Sequence, residues 1–138
     1  MNRISAALAA VPLALTLLSA APPAEASSAG GACADPAVLE RITASFEYNA
    51  KNVLKQPVSI AEIAHMQRSR FEPRTQYASS VEREYCGAKA ALTDGSVRQL
   101  WYLIEQPWGF AGTGRGVEYC LAGLDPWKIH GAHCRSVR

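Results

Sequence analysis

The sequence predicts an α+β domain: an N-terminal helix packed on a short antiparallel β-meander and stapled by two disulfides. Three observations predict it. Asp94-Gly95 separates two apolar runs, VEREYCGAKAAL and VRQLWYLIEQ, which reads as a hairpin. Asp35-Pro36 opens a stretch whose apolar residues recur at near-helical spacing as far as Leu54. Four cysteines, an even number, follow a segment with the marks of an export signal.

Residues 1–26 carry Arg3 as a positive start, an apolar run from Ile4 to Ala21, and Ala24-Glu25-Ala26 as an A-x-A cleavage site. Pro12 and the small-residue exit argue against a retained membrane anchor. Cys33 lies well past the apolar run, so a lipoprotein linkage is not expected either. Removal of the segment takes away one cation, Arg3, and one anion, Glu25, and leaves the formal charge at +2. So weak a charge gives no ground for a nucleic acid or an anionic membrane as partner. Roughly 110 residues remain, enough for one small core. The expected organisation is a signal peptide at 1–26, a flexible leader at 27–34 and a single domain at 35–138.

Asp35 is a good N-cap, and proline suits the first helical position because its missing N–H would have no partner there. The helix is predicted from Pro36 to Leu54, ending before Pro57, with Phe46 and Tyr48 in the core. Residues 58–71 fit two descriptions. Ser59-Ile60-Ala61-Glu62 matches a capping box, while Val58 and Ile60 would also suit a first strand. The helix is preferred at the N-terminal end of this stretch. Arg68, Arg70 and Arg74 are expected on a solvated loop.

A two-residue type I′ turn at Asp94-Gly95 would place Leu92 opposite Val97, Ala88 opposite Trp101 and Cys86 opposite Leu103. The other face would carry Lys89, Arg98, Leu100, Tyr102, Ile104 and Tyr85. The run from Leu100 to Ile104 is therefore apolar on both sides, as in a strand covered twice. A third strand, RGVEYCLA, follows the glycine-rich loop 107–116, and a GLDP turn leads into the tail. If the tail folds back, Trp127 and Ile129 would cover the sheet's second face.

Meander order puts Cys86 and Cys120 on strands about 9–10 Å apart, beyond the reach of a disulfide. Cys33 and Cys134 must then each take one of them. Cys33–Cys86 with Cys120–Cys134 is preferred, because the second bond closes a short loop.

No catalytic motif is evident. The loop Trp108–Gly116 joins two strands and lacks the Lys-Ser/Thr of a phosphate cradle, so it does not suit a nucleotide. Aromatic residues surround it, among them Trp101, Tyr102, Trp108, Phe110 and Tyr119. Exposed rings beside such a loop can grip a peptide or stack on a sugar. Trp108, Phe110, Arg115 and Tyr102 are accordingly the candidate binding residues, although Trp101 is expected in the core.

His130 and His133 beside Cys134 are metal-ligand types, but they lack a fourth ligand, and Cys134 is needed for a bridge. Cys120 or Cys134 with His130 and Asp125 could form a nucleophilic set only as free thiols. Glu82, Glu84 and Glu118 read as solvent-side strand residues. No cofactor is implied.

Taken together, the patterns YC, the Asp-Gly hairpin, WYLIE, GVEYC, GLDPW and a final CR resemble small exported proteins of Gram-negative bacteria. The resemblance covers most of the chain after the leader. It implies a periplasmic address and carries no activity. The expected function is a non-catalytic binding or accessory protein of the periplasm or envelope, engaging an envelope protein or cell-wall glycan. The alternative is a small hydrolase or metal-dependent enzyme using the His130/His133/Cys134 tail.

Overall fold

The computed structural model describes residues 31–109 and 112–138. The expected signal segment at 1–26 lies outside them. A 3-10 turn at Gly31–Ala34 leads into helix α1, Pro36–Asn49, and a π-helical turn, Ala50–Leu54, continues it. Four strands follow: β1 Ile60–Glu72, β2 Glu82–Leu92, β3 Val97–Trp108 and β4 Gly114–Leu121. They form one antiparallel sheet in the order β1-β2-β3-β4. A kinked 3-10 segment, Ala132–Val137, completes the described chain. The architecture is α+β with two disulfides, Cys33–Cys86 and Cys120–Cys134.

Asp35 caps α1 as its chemistry demands. Its Oδ1 accepts the Ala37 N–H at 2.9 Å, and Pro36 takes the first helical position. Its other oxygen pairs with Arg115 of β4, which ties the helix start to the sheet edge. That hydrogen bond and the Ala37 N–H hold the Asp35 carboxyl below the usual aspartate range. Asp35→Ala should cost about 1–2 kcal/mol, combining a lost cap with a half-exposed ion pair. Because the folded-state pKa is lowered, this stability is present above pH 3.8, the ordinary value, and is lost as pH falls through the lower folded one. Urea melts of wild type and Asp35→Asn should differ at pH 7 and converge once the pH has fallen below the lowered folded-state pKa.

The helix buries Val38, Ile42 and Phe46, one residue per turn, against Ala88, Leu100, Tyr102 and Leu121 of the sheet. Burying each such large apolar side chain is worth about 1.5–3 kcal/mol. Tyr48 is on the outer side of the helix and is 66% exposed, so it is not the core residue expected. Cys33 is fully buried, which makes residues 31–34 part of the packed structure rather than a flexible leader.

Residues 60–72 form strand β1, which corrects the preference for a helix at the start of this stretch. The cause is local. Register irregularities between Ile60 and Glu62 and between Ala64 and Gln67 insert extra residues. Ile60, Ile63 and Met66 therefore all reach the core despite a spacing of three. A bulged strand thus imitates helical periodicity. Arg68 and Arg70 lie on this strand and not on a loop; Arg70 stacks 3.7 Å from the Tyr85 ring centroid and pairs with Glu72 at 3.0 Å.

The hairpin exists, but its register differs by one from the expected type I′ arrangement. Gly95 is left-handed (φ +85), whereas Asp94 is not among the positive-φ residues. Leu92 accepts from the Gly95 N–H and donates to Ser96, so the loop is Thr93–Gly95 with a glycine bulge. Asp94 Oδ1 stabilises this form by accepting the Ser96 N–H at 2.9 Å. Ala88 consequently pairs with Leu100 and Cys86 with Tyr102. A one-residue shift reverses the face of every side chain on β3. Leu100, Tyr102 and Ile104 go under the helix, and Trp101 and Leu103 go to the other side.

That second face is covered by Val137 and Cys134, packed on Tyr85, Leu103 and Cys120. The expected covers do not serve: Trp127 and Ile129 are 61% and 74% exposed. Glu84 is also not a solvent-side residue. It is only 9% exposed, with Oε1 3.3 Å from the Cys33 sulfur. A disulfide sulfur has no proton to donate, so this is packing and not a hydrogen bond.

Candidate functional site

Of the four residues singled out around the aromatic loop, the three that are described do not converge. Tyr102 is fully buried under the helix, where its hydroxyl donates to the Cys33 carbonyl at 2.5 Å. Burial pushes this phenol far above the ordinary tyrosine value. It stabilises the fold and cannot meet a ligand. Arg115 is occupied by Asp35, and its Nε donates to Gln106 at 3.2 Å. Trp108 is 47% exposed, and its indole lies over Gly116. A Cβ at position 116 would stand 2.9 Å from the ring, so only glycine leaves room for it. Strand alternation puts Gly116 and Arg115 on opposite faces of β4. Phe110 lies outside the described residues.

The tail has no free thiol. Cys120 and Cys134 are bonded to each other, and no described cysteine is free. His130 Nδ1 is 3.5 Å from Ser136 Oγ, at the limit of a hydrogen bond, and His133 is exposed. Cys33, Glu84 and Cys86 bring three potential ligand atoms within 4.8 Å, but the two sulfurs are joined as a disulfide. A nucleophilic cysteine or thiolate ligand is therefore not available at either place.

A cleft suited to binding lies between the end of the helix and the segment after β4. Phe46, Asn49, Val53 and Leu54 form one wall, and Tyr119 and Leu121 form the floor. Leu124, Trp127, Ile129 and His130 form the other wall of a cleft of about 230 Å³. Its floor is rigid. Phe46 and Leu121 are 3% and 2% exposed, and Asn49 Nδ2 donates to the Tyr119 hydroxyl at 2.9 Å. Asp125 holds the outer wall, accepting the Ile129 and His130 N–H groups at 2.9 and 3.1 Å. The Cys120–Cys134 bond closes the base of the same segment. Val53, Trp127 and Ile129 stand at the mouth, each about half exposed or more.

Such a cleft suits an apolar side chain with a few hydrogen-bond partners around it. Asp125 is the carboxylate in its lining, and beside its helical wall the exposed Lys51 and Lys55 bracket Val53-Leu54 in sequence. Glu47 is one helical turn further back. The sequence reading missed this site because it assigned Trp127 and Ile129 to sheet cover. The signal was available in DPWKIHG, where large apolar residues alternate with polar ones directly after a proline.

Among the described residues no helix is long and apolar enough to cross a membrane. No protein-family model, curated protein or solved structure matches the chain.

Proposed function

We propose that the protein is a non-catalytic binding or accessory module exported to the periplasm or cell envelope. Its occupant is a segment of a partner protein that inserts one large apolar side chain flanked by acidic residues. The observation that carries this reading is the cleft, with a fixed apolar floor and with Val53, Trp127 and Ile129 exposed at its mouth. A side chain entering it would bury apolar surface on both partners, at about 25 cal/mol per Å². The exposed Lys51 and Lys55 beside Val53-Leu54 favour acidic flanks over basic ones. Export is supported by the leader pattern at 1–26 and by two disulfides, which persist in oxidising compartments.

The test uses twelve-residue peptides with a central Trp, Phe or Leu and either Asp/Glu or Lys flanks. Acidic-flanked peptides should shift amide resonances at Asn49, Val53, Trp127 and His130. Trp127→Ala should weaken that binding about tenfold, the loss expected of an exposed aromatic anchor, without changing the urea midpoint. Two outcomes sink the proposal. One is the absence of shifts at millimolar peptide. The other is binding abolished by Trp108→Ala and untouched by Trp127→Ala, which would return the site to the 107–116 loop.

A further inference from the structure

The segment that forms the outer wall of the cleft has a second side. Behind it lies a separate cavity of about 330 Å³, bounded by Trp101, Lys128, His133 and Arg138, with the Cys120–Cys134 disulfide among its walls. We propose that this cavity is a binding site for a small oxyanion carried on a flat apolar body, such as an aryl phosphate or aryl carboxylate. It shares Cys120, Leu121 and Asp125 with the cleft but does not rest on the function assigned there.

Charge is the first ground. The lining contains Lys128 and Arg138. Asp125 is the carboxylate in the lining, and both of its oxygens already accept backbone N–H groups on the segment. Among the described residues neither Lys128 nor Arg138 is in an ion pair. An arginine and a lysine at one cavity are suited to phosphate or carboxylate.

Shape is the second. Trp101 belongs to the sheet's second face and is only partly covered. Its ring rests on Gly87, where a Cβ would come within 2.8 Å of it. The indole is thus seated against backbone on one side while also bounding the cavity, as a stacking surface must be.

Backbone geometry is the third. Five non-glycine described residues are left-handed, and three of them, Lys128, His133 and Cys134, bound this cavity at φ 53, 56 and 58. Such conformations are unfavourable for side-chain-bearing residues and persist only where the surroundings enforce them. Here the disulfide and the Gly131-to-Lys128 hydrogen bond at 2.8 Å do so. The reversals bring Lys128 and His133, separated by a turn, to the same space.

The test uses the full disulfide-bonded chain and four probes: phenyl phosphate, benzoate, inorganic phosphate and benzyl alcohol. Binding is read from the Trp101 indole N–H and the His133 ring by NMR. Phenyl phosphate or benzoate should saturate at concentrations well below inorganic phosphate and benzyl alcohol, since only they present both halves. The stronger of the two identifies the oxyanion as phosphate or carboxylate. The double variant Lys128→Gln/Arg138→Gln changes exposed charges only and should weaken binding about tenfold, as expected for lost charge-assisted hydrogen bonds. Trp127→Ala should leave it unchanged, which separates this site from the cleft. No shift at Trp101 with any probe overturns the proposal. Equal affinity of the double variant and the wild type for phenyl phosphate does so as well.

Discussion

Replacing Cys33 and Cys86 together by alanine should destabilise the domain by about 4 kcal/mol in the chain-entropy account, the bond joining residues 53 apart in sequence. Small domains have about 5–15 kcal/mol in total, so the variant should be partly unfolded at physiological temperature. The loss has a structural side too. This bond fixes the 3-10 turn whose Cys33 carbonyl receives the buried Tyr102 hydroxyl, and the turn runs straight into the Asp35 cap. Equivalent removal of Cys120–Cys134, which spans only 14 residues, should cost nearer 3 kcal/mol. Urea unfolding of the two double variants would establish the order. A smaller loss at Cys33/Cys86 than at Cys120/Cys134 would contradict this account.

Phe46→Ala should cost about 3–5 kcal/mol, whereas Tyr48→Ala should stay within about 0.5 kcal/mol. Both are aromatic, two residues apart on one helix, and only their direction differs. Phe46 is 3% exposed and Tyr48 66%. Phe46 also forms a wall of the cleft, so its removal should enlarge the site at the same time as it opens a cavity in the core. Thermal unfolding of the pair is a direct check. Similar losses at both positions would mean that the helix is turned differently on the sheet.

Much of this fold is legible from local chemistry. The Asp35-Pro36 cap, the helix stripe and the Asp-Gly turn each rest on interactions within a few residues, and each element is present. Strand spacing, a fixed length, excludes one of the three disulfide pairings, and the short loop favours the observed one of the remaining two. What failed depended on counting by one. A glycine bulge at Gly95 instead of two left-handed residues moved Tyr102 from a ligand candidate to the core and Trp101 from the core to a cavity wall. Bulges in β1 likewise gave a strand the spacing of a helix. The cleft was illegible for another reason. It depends on where a segment without periodicity comes to rest, and that is decided by Cys134 and Val137 packing on the sheet, far from Trp127 in kind if not in number.

The bulges in β1 also bear on how copies of this chain meet one another. β1 is an outer strand, and its free backbone groups would ordinarily invite an incoming chain to extend the sheet. Three breaks in register and a left-handed His65 put those groups out of step with the even spacing of a straight strand. Arg68 and Arg70 add exposed charge along the same margin. The irregularity that disguises β1 in the sequence thus protects the crowded protein from edge-to-edge stacking, and keeps its long open border from nucleating fibres.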